Sequence, residues 1–391
     1  MSALPVDVTP PSLTHGSQTR WGTGWEPAAL FGLTLLLLAF GLVNLYSASA
    51  FLAQRQGLGD AFYVLRQAFG AALGLALLAG CARIPYTAWK VLAWPLVGLS
   101  MVALFITILP WTEPWSPEIN GARRWIRVGV TLQPSEFAKL AMVVWTAHLS
   151  VRKQEQFRSL SRGLAPFLLV WLGLILPILL QPDLSTAFLL TLLGGVVVFA
   201  AGARIGHFFF LMLAFAPIGL LQLSTGFRMD RIRAFFSDGG ETAGAGYQVN
   251  QSLIALGSGG PLGVGLGGGR QKFGFLPEPH NDFIFSMIGE EWGFLGTGSL
   301  IALYLAVVLI GFRIASQAPD LFGQLLAVGL SSLIAIHATL HMAVGLGLIP
   351  PTGLSLPLVS YGRSNLLVSL AVIGILISVA RGDPRARRSH D

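Results

Sequence analysis

Charge is what this 391-residue sequence has least of: Asp, Glu, Lys and Arg make up 11% of it, against 53% hydrophobic residues and a mean hydropathy of +0.68. Soluble globular chains carry about a quarter charged residues, so soluble multidomain classes are excluded. Cysteine is as scarce. The single Cys81 lies in an apolar run and rules out an intrachain disulfide framework. Also missing is the basic stretch, short apolar core and small-residue cleavage site of a secretory leader. Residues 1–27 read instead as a polar, proline-bearing cytoplasmic tail before an uncleaved first span. No internal repeat or low-complexity tract is visible, and no soluble domain is expected beyond the two tails.

What is present is a series of apolar runs of about 20 residues, the length that crosses a bilayer as a helix. Ten windows qualify: 28–50, 62–82, 88–109, 134–149, 164–180, 184–203, 205–223, 282–310, 322–348 and 354–379. The fourth and fifth are short and bounded by prolines. The eighth carries Glu290 and Glu291, which marks it as tilted, broken or partly outside the lipid. The expected fold is an all-α polytopic membrane protein with about ten transmembrane helices. It divides into a tail (1–27), a membrane domain (28–380) and a basic tail (381–391).

Lys and Arg are held back on the cytoplasmic side. Arg381, Arg385, Arg387 and Arg388 follow span ten, and Arg152, Lys153, Arg158 and Arg162 follow span four. Both groups follow even-numbered spans, which places both termini in the cytoplasm and the loop between spans seven and eight, residues 224–280, outside. The net charge of +7 is read as this topology signal plus an anionic ligand, not as nucleic-acid binding.

The long loop holds 14 of the 47 glycines, and loops of this length are commonly functional. Within it, 248–256 reads as a short helix capped by Gly257. The Gly-rich stretch that follows suits close backbone approach to a lipid head group. It lacks the Gly-Lys-Ser/Thr ending of a nucleotide phosphate loop. Arg123, Arg124 and Arg127 before span four, and Arg228, Arg231, Arg233, Arg270 and Lys272 in the loop, break the topology rule by lying outside. Two readings stand: solvated or lipid-anchoring charges, and a site for an externally presented anion such as a lipid-linked pyrophosphate.

Asp282 leaves this loop beside His280. It is either a helix-start cap or a base that accepts a proton from a sugar hydroxyl at the membrane surface. Glu290 and Glu291 follow eight and nine residues later, about 12 Å along a helix. That is too far to share a proton with Asp282, so they take a supporting role or hold a cation between helices. Glu136 and Lys139 pair on one helical face, as a structural ion pair or as part of a binding groove. Asp183 is expected in a turn or helix cap on the cytoplasmic side.

The strings GARRWI (121–126), QPSEFAKL (133–140), QPDLST (181–186), YQVNQSLIALGSGG (247–260), FLPEPHNDFIF (275–285), IGEEWGFLG (288–296) and SLPLVSYG (355–362) follow one another in order. From about Asn44 to the tenth span, the chain resembles the SEDS family (shape, elongation, division and sporulation), which contains FtsW and RodA. The GLGGGRQK and IGEE wording is more similar to the division branch, FtsW, than to the elongation branch, RodA.

The resemblance implies a ten-span peptidoglycan glycosyltransferase of the bacterial cytoplasmic (inner) membrane. Such an enzyme polymerises lipid II, an undecaprenyl pyrophosphate-linked disaccharide pentapeptide, at the outer face of that membrane. Its partners would be a class B penicillin-binding protein transpeptidase and other division or elongation membrane proteins. Asp282 then matches the essential Asp of the family's HTD triplet, here His280-Asn281-Asp282. Arg123, Arg124, Glu136, Lys139, Arg270, Lys272, His280 and Ser360 become candidates for binding substrate, with Glu290, Glu291 and Gln251 in support. No cofactor is required for a sugar that arrives activated on its lipid; a divalent cation, Mg or Mn, stays open, with its ligands unassigned. One departure is SYGRSN in place of SYGGSS, which brings Arg363 and Asn365 to the start of span ten and adds an outer-face cation. A lipid II flippase and a scaffold that recruits the cross-linking partner fit ten spans and intramembrane charges as well, and polymerisation of lipid II in detergent separates them from an enzyme.

Overall fold

The computed structural model describes residues 24–118, 121–158, 160–206 and 244–382. Nearly all of the expected seventh span, the first part of the long loop with Arg228, Arg231 and Arg233, most of the N-terminal tail, and Arg385, Arg387 and Arg388 lie outside the described residues.

Among the described residues there are ten α-helices: α1 (Glu26–Arg55), α2 (Phe62–Arg83), α3 (Trp89–Ile108), α4 (Pro134–Lys153), α5 (Ala165–Leu180), α6 (Leu184–Ala200), α7 (Ala245–Gly259), α8 (Ile284–Ser316), α9 (Leu321–Gly345) and α10 (Arg363–Arg381). Nine of the ten expected windows carry one of them. The stretches of α1, α2, α3, α5, α8, α9 and α10 are long and apolar enough to cross a membrane, and α6 is a shorter apolar helix. The lipid-facing sides are plain on α2 and α3, where Leu65, Phe69, Val91, Leu99 and Val102 are exposed. In water such a belt would be an aggregation surface; against acyl chains it needs no cover.

Position in the bundle follows from side-chain chemistry. The apolar window of α10 is 83% buried and that of α3 only 28%, so α10 lies inside and α3 at the rim. Helix α10 packs closely on α2, and a Cβ added at Gly374 would come 2.5 Å from the Leu78 carbonyl oxygen, the small-residue contact that brings membrane helices together. Helix α4 starts on Pro134 and carries Glu136, Lys139, Arg152 and Lys153. It is accommodated because protein surrounds it: Ala138, Ala141, Met142, Val143, Val144 and Trp145 are all buried among its neighbours.

Four local features refine the expectations. The expected helical fold holds, with a short hairpin among the described residues: β1 (Ile126–Val128) and β2 (Val130–Leu132), paired Ile126 with Leu132 and turned at Gly129. The loop helix runs through Gly257 to Gly259 and stops at Gly260, whose φ of +53° a side chain would resist. The tenth window is helical only from Arg363; residues 354–362 are an apolar but irregular segment. Hydropathy does not separate such a buried segment from a helix, and Pro357 within it has no N–H to give a helical ladder.

The fourth feature concerns the glycines. Helix α8 is broken at Gly293 (φ +67°, ψ −160°), and the Gly-rich stretch splints the break. The N–H groups of Val264 and Gly265 donate to the carbonyls of Glu290 and Glu291, each at 3.0 Å. In return Phe294 and Leu295 donate to the carbonyls of Gly260 and Pro261, at 2.9 and 3.2 Å. Four backbone groups freed by the break, the Glu290 and Glu291 carbonyls and the Phe294 and Leu295 N–H groups, are thus paired by protein, as a low-dielectric setting demands. At Gly259 and Gly263 the close approach is of backbone to backbone, against the broken stretch of α8. At Gly263 (φ +81°) an added Cβ would fall 2.2 Å from the Glu291 oxygen. Gly263→Ala is expected to cost about 2–4 kcal/mol, read as a lower melting temperature in detergent. Gly257→Ala, with open space around it inside α7, is expected to be neutral or stabilising.

Candidate active site

A polar cleft of about 240 Å³ opens where the hairpin, the starts of α4 and α6, the turn before α8 and the segment 353–365 meet. Arg124, Glu136, Asp183, Asn281, Gly353 and Arg363 are among its lining residues. Asp282 stands at its rim, where a Cβ added to Gly353 would lie 3.8 Å from Asp282 Oδ2.

Asp282 is not the cap of α8. That helix starts at Ile284 with Phe283 in the cap position, so a helical-wheel relation between Asp282 and Glu290 does not apply. Asp282 sits on a turn in which the N–H groups of Asn281 and Asp282 both donate to the Glu278 carbonyl, at 3.2 and 3.1 Å. Segment 355–362 pins the turn. The Tyr361 N–H donates to the His280 carbonyl (3.0 Å), and the Ser360 hydroxyl donates to the Asn281 carbonyl (2.7 Å) while accepting from the Leu356 N–H (2.8 Å). Ser360 is buried, and its geometry makes it a positioning residue for the turn.

His280 is likewise buried, with its ring between Tyr63 and Tyr361 at centroid distances of 5.0 and 5.6 Å. Burial pushes its imidazole from 6.5 down to about 4, because the charged form loses its hydration. Below pH 6.5 the unfolded chain therefore takes up a proton that the folded chain refuses. Stability from this residue is complete above pH 6.5 and falls by up to about 1.4 kcal/mol per unit as pH drops toward 4. His280→Phe keeps the ring contacts and is expected to flatten that part of the profile, measured as the melting-temperature difference between pH 7.5 and pH 5.

Asp183 is corrected in part. It caps α6 as expected, accepting from the Thr186 N–H (3.1 Å) and hydroxyl (2.9 Å). Its side of the membrane was misassigned: it shares the cleft with Asn281 and lies 3.9 Å from Arg124 of the hairpin arm. A chain that enters span one from the cytoplasm leaves span five on the outer side, together with the loop that carries Arg124. The Arg124 guanidinium is held by the carbonyls of Gln181 (3.0 Å) and Pro182 (2.9 Å). Arg123 lies 3.4 Å from Glu113 and donates to the Leu109 carbonyl. Glu136 and Lys139 pair at 2.7 Å, both buried; Glu136 faces the cleft, and its Oε2 meets no hydrogen-bond partner among the described residues.

Other expected site residues gather elsewhere. Lys272 pairs with Glu291 at 2.7 Å and with the Ser47 hydroxyl at 3.0 Å, and it lines a groove along α1 instead of the cleft. Glu290 accepts from the Arg270 N–H at 2.7 Å and from the Gln271 N–H at 3.3 Å. These contacts clasp the Gly-rich loop onto α8. Arg270 is exposed and Gln251 half-buried on α7, neither lining the cleft. The two acids do not fit a bound cation, since amides and Lys272 occupy them. Among the described residues no three His, Cys, Asp or Glu side chains converge as a metal site.

The family model described as "Cell cycle protein", FtsW/RodA/SpoVE, matches residues 28–384. The chain belongs to the FtsW/RodA/SpoVE family. Residues 28–384 take in every element of the cleft. Among relatives, the chain is 39% identical over 363 residues to the probable peptidoglycan glycosyltransferase FtsW of Trichlorobacter lovleyi, covering 90% of this chain and 94% of that one. It is 42% identical over 356 residues to stage V sporulation protein E of Bacillus subtilis, covering 89% and 95%. Among solved structures, it is similar to a chain of a peptidoglycan synthase complex that coordinates polymerization and crosslinking (TM-score 0.75, 31% identity, 90% and 96% covered). It is also similar to Thermus thermophilus RodA (TM-score 0.66, 28% identity, 94% and 98% covered). The chain is a multi-pass membrane protein with a RodA-like helical fold.

Proposed function

We propose that this FtsW/RodA/SpoVE family member is a peptidoglycan glycosyltransferase that polymerises lipid II at the outer face of the cytoplasmic membrane, with both termini inside. The observation that carries the reading is Asp282, a carboxylate fixed at the rim of a polar cleft between apolar helices. It is supported by 39% identity to a probable peptidoglycan glycosyltransferase over most of both chains.

The chemistry is a displacement with inversion at the anomeric carbon. The 4-hydroxyl of an incoming lipid II glucosamine attacks that carbon at the end of the growing strand. A new C–O bond forms as the bond to undecaprenyl pyrophosphate breaks. The hydroxyl proton passes to the Asp282 carboxylate and then to solvent, and the leaving pyrophosphate keeps the bonding electrons. A base on the attacking side and positive charge on the leaving side are what such a step requires. Glu136 lines the cleft with Lys139 paired to it at 2.7 Å, and Ser360 and His280 hold the Asp282 turn in register.

The FtsW-like wording of the sequence makes division the proposed setting and a class B penicillin-binding protein the proposed partner. The test is glycan formation from lipid II in detergent, with and without that partner. No glycan under either condition sinks the reading. Transbilayer movement of lipid II in vesicles without glycan replaces it with a flippase.

A further inference from the structure

Four described cations were expected to hold the substrate's pyrophosphate, and all are engaged or off the cleft. Arg123 is occupied by Glu113 and a carbonyl, and Arg124 by two carbonyls and Asp183. Lys272 is tied to Glu291, and Arg270 does not line the cleft.

Arg363 is different. It lines the cleft with Asn281 and Gly353, and its side chain makes no ion pair or hydrogen bond among the described residues. Its stem lies over Gly70 of α2, where an added Cβ would meet Arg363 Cγ at 3.5 Å. It is also the first residue of α10, so the unpaired N–H groups of that helix's first turn add positive potential at the same place. Both carboxylates in the lining already have a cation: Glu136 has Lys139 at 2.7 Å, and Asp183 has Arg124 at 3.9 Å. Among the described residues Arg363 is thus a lining cation without an ion pair, in a half-enclosed site where a guanidinium pairs most strongly with a phosphate oxygen.

We infer that Arg363 is the residue with which this chain grips the pyrophosphate of its lipid-linked substrate, a specificity-determining contact on the leaving-group side of the cleft. The inference rests on the proposed polymerase reading, which supplies the pyrophosphate. A guanidinium in that place binds the diphosphate in the ground state and as charge builds on it, so its loss acts on substrate affinity first.

The test uses the full chain in neutral detergent, with Arg363→Gly and Arg363→Lys beside the parent. Calorimetric binding of farnesyl pyrophosphate, a soluble isoprenyl diphosphate, needs no polymerisation. Expected are affinity about tenfold weaker for Arg363→Gly and an intermediate loss for Arg363→Lys, which keeps the charge but not the fork. In the lipid II assay, KM rises by a similar factor with a smaller change in kcat. Equal farnesyl pyrophosphate affinity in parent and Arg363→Gly overturns the inference. So does a difference that appears only for phosphatidylglycerol vesicles, which would assign the arginine to a membrane head group. Absence of glycan in the parent speaks against the polymerase reading alone, because the farnesyl pyrophosphate comparison still reports on Arg363.

Discussion

Asp282→Asn makes glycan from lipid II about 10²–10⁴-fold more slowly than the parent and melts at nearly the same temperature. The amide has the size and shape of the carboxylate but cannot take up the hydroxyl proton, so the variant loses the base. Its fold is preserved because the tethers of the turn come from the backbone of Glu278, His280, Asn281, Asp282 and Tyr361 and from the Ser360 hydroxyl. Two measurements keep the outcome readable: glycan length on gels for activity, and thermal unfolding in detergent for the fold. Parent-like glycan yield from Asp282→Asn would remove Asp282 as the base. A collapse of melting temperature together with activity would instead make it a structural residue. Ser360→Ala supplies the contrast. It loosens the turn without touching the base, so kcat is expected to fall by about tenfold and a residual rate to persist.

The helices were legible in the sequence wherever lipid surrounds them, because a stretch that meets acyl chains must be apolar all round. Helix α4 was legible for another reason: Pro134 marks its start, and the Glu136–Lys139 spacing fits one helical face. The segment 354–362 failed that logic. It is apolar because the bundle buries it, yet it is irregular because it must reach the His280–Asp282 turn and hold it. The Gly-rich loop failed in a related way. Its glycines were visible, but their partner, the broken backbone of α8, lies about 30 residues away in sequence, and no local pattern announces such a pairing. Asp282 stood out as a candidate base because a carboxylate before an apolar run is costly. The commitment of Arg124 to backbone carbonyls was not legible, since a carbonyl partner leaves no trace in residue identity.

Lys272 is where binding and architecture make opposite demands, and a double-mutant cycle decides between them. Its ammonium is buried against Glu291 and Ser47, beside the break in α8. Lys272→Met leaves the Glu291 carboxylate buried with only the Ser47 hydroxyl at 2.6 Å. Removing one partner of such a pair costs about 3–5 kcal/mol, so this variant is expected to melt far below the parent and to lose activity with its fold. In Lys272→Met/Glu291→Gln both charges are gone, the side-chain volumes are nearly kept, and the amide still receives the Ser47 hydroxyl. Its melting temperature is expected to return most of the way, and with it the KM for lipid II. A double variant that melts like the parent but shows a KM raised about tenfold would mean that Lys272 contacts the substrate after all. A single variant that melts like the parent would mean that the clasp between the Gly-rich loop and α8 does not depend on this pair. The expected pattern, loss in the single variant and recovery in the double, makes Lys272 a structural counter-ion, outside the cleft that Arg124 and Arg363 line.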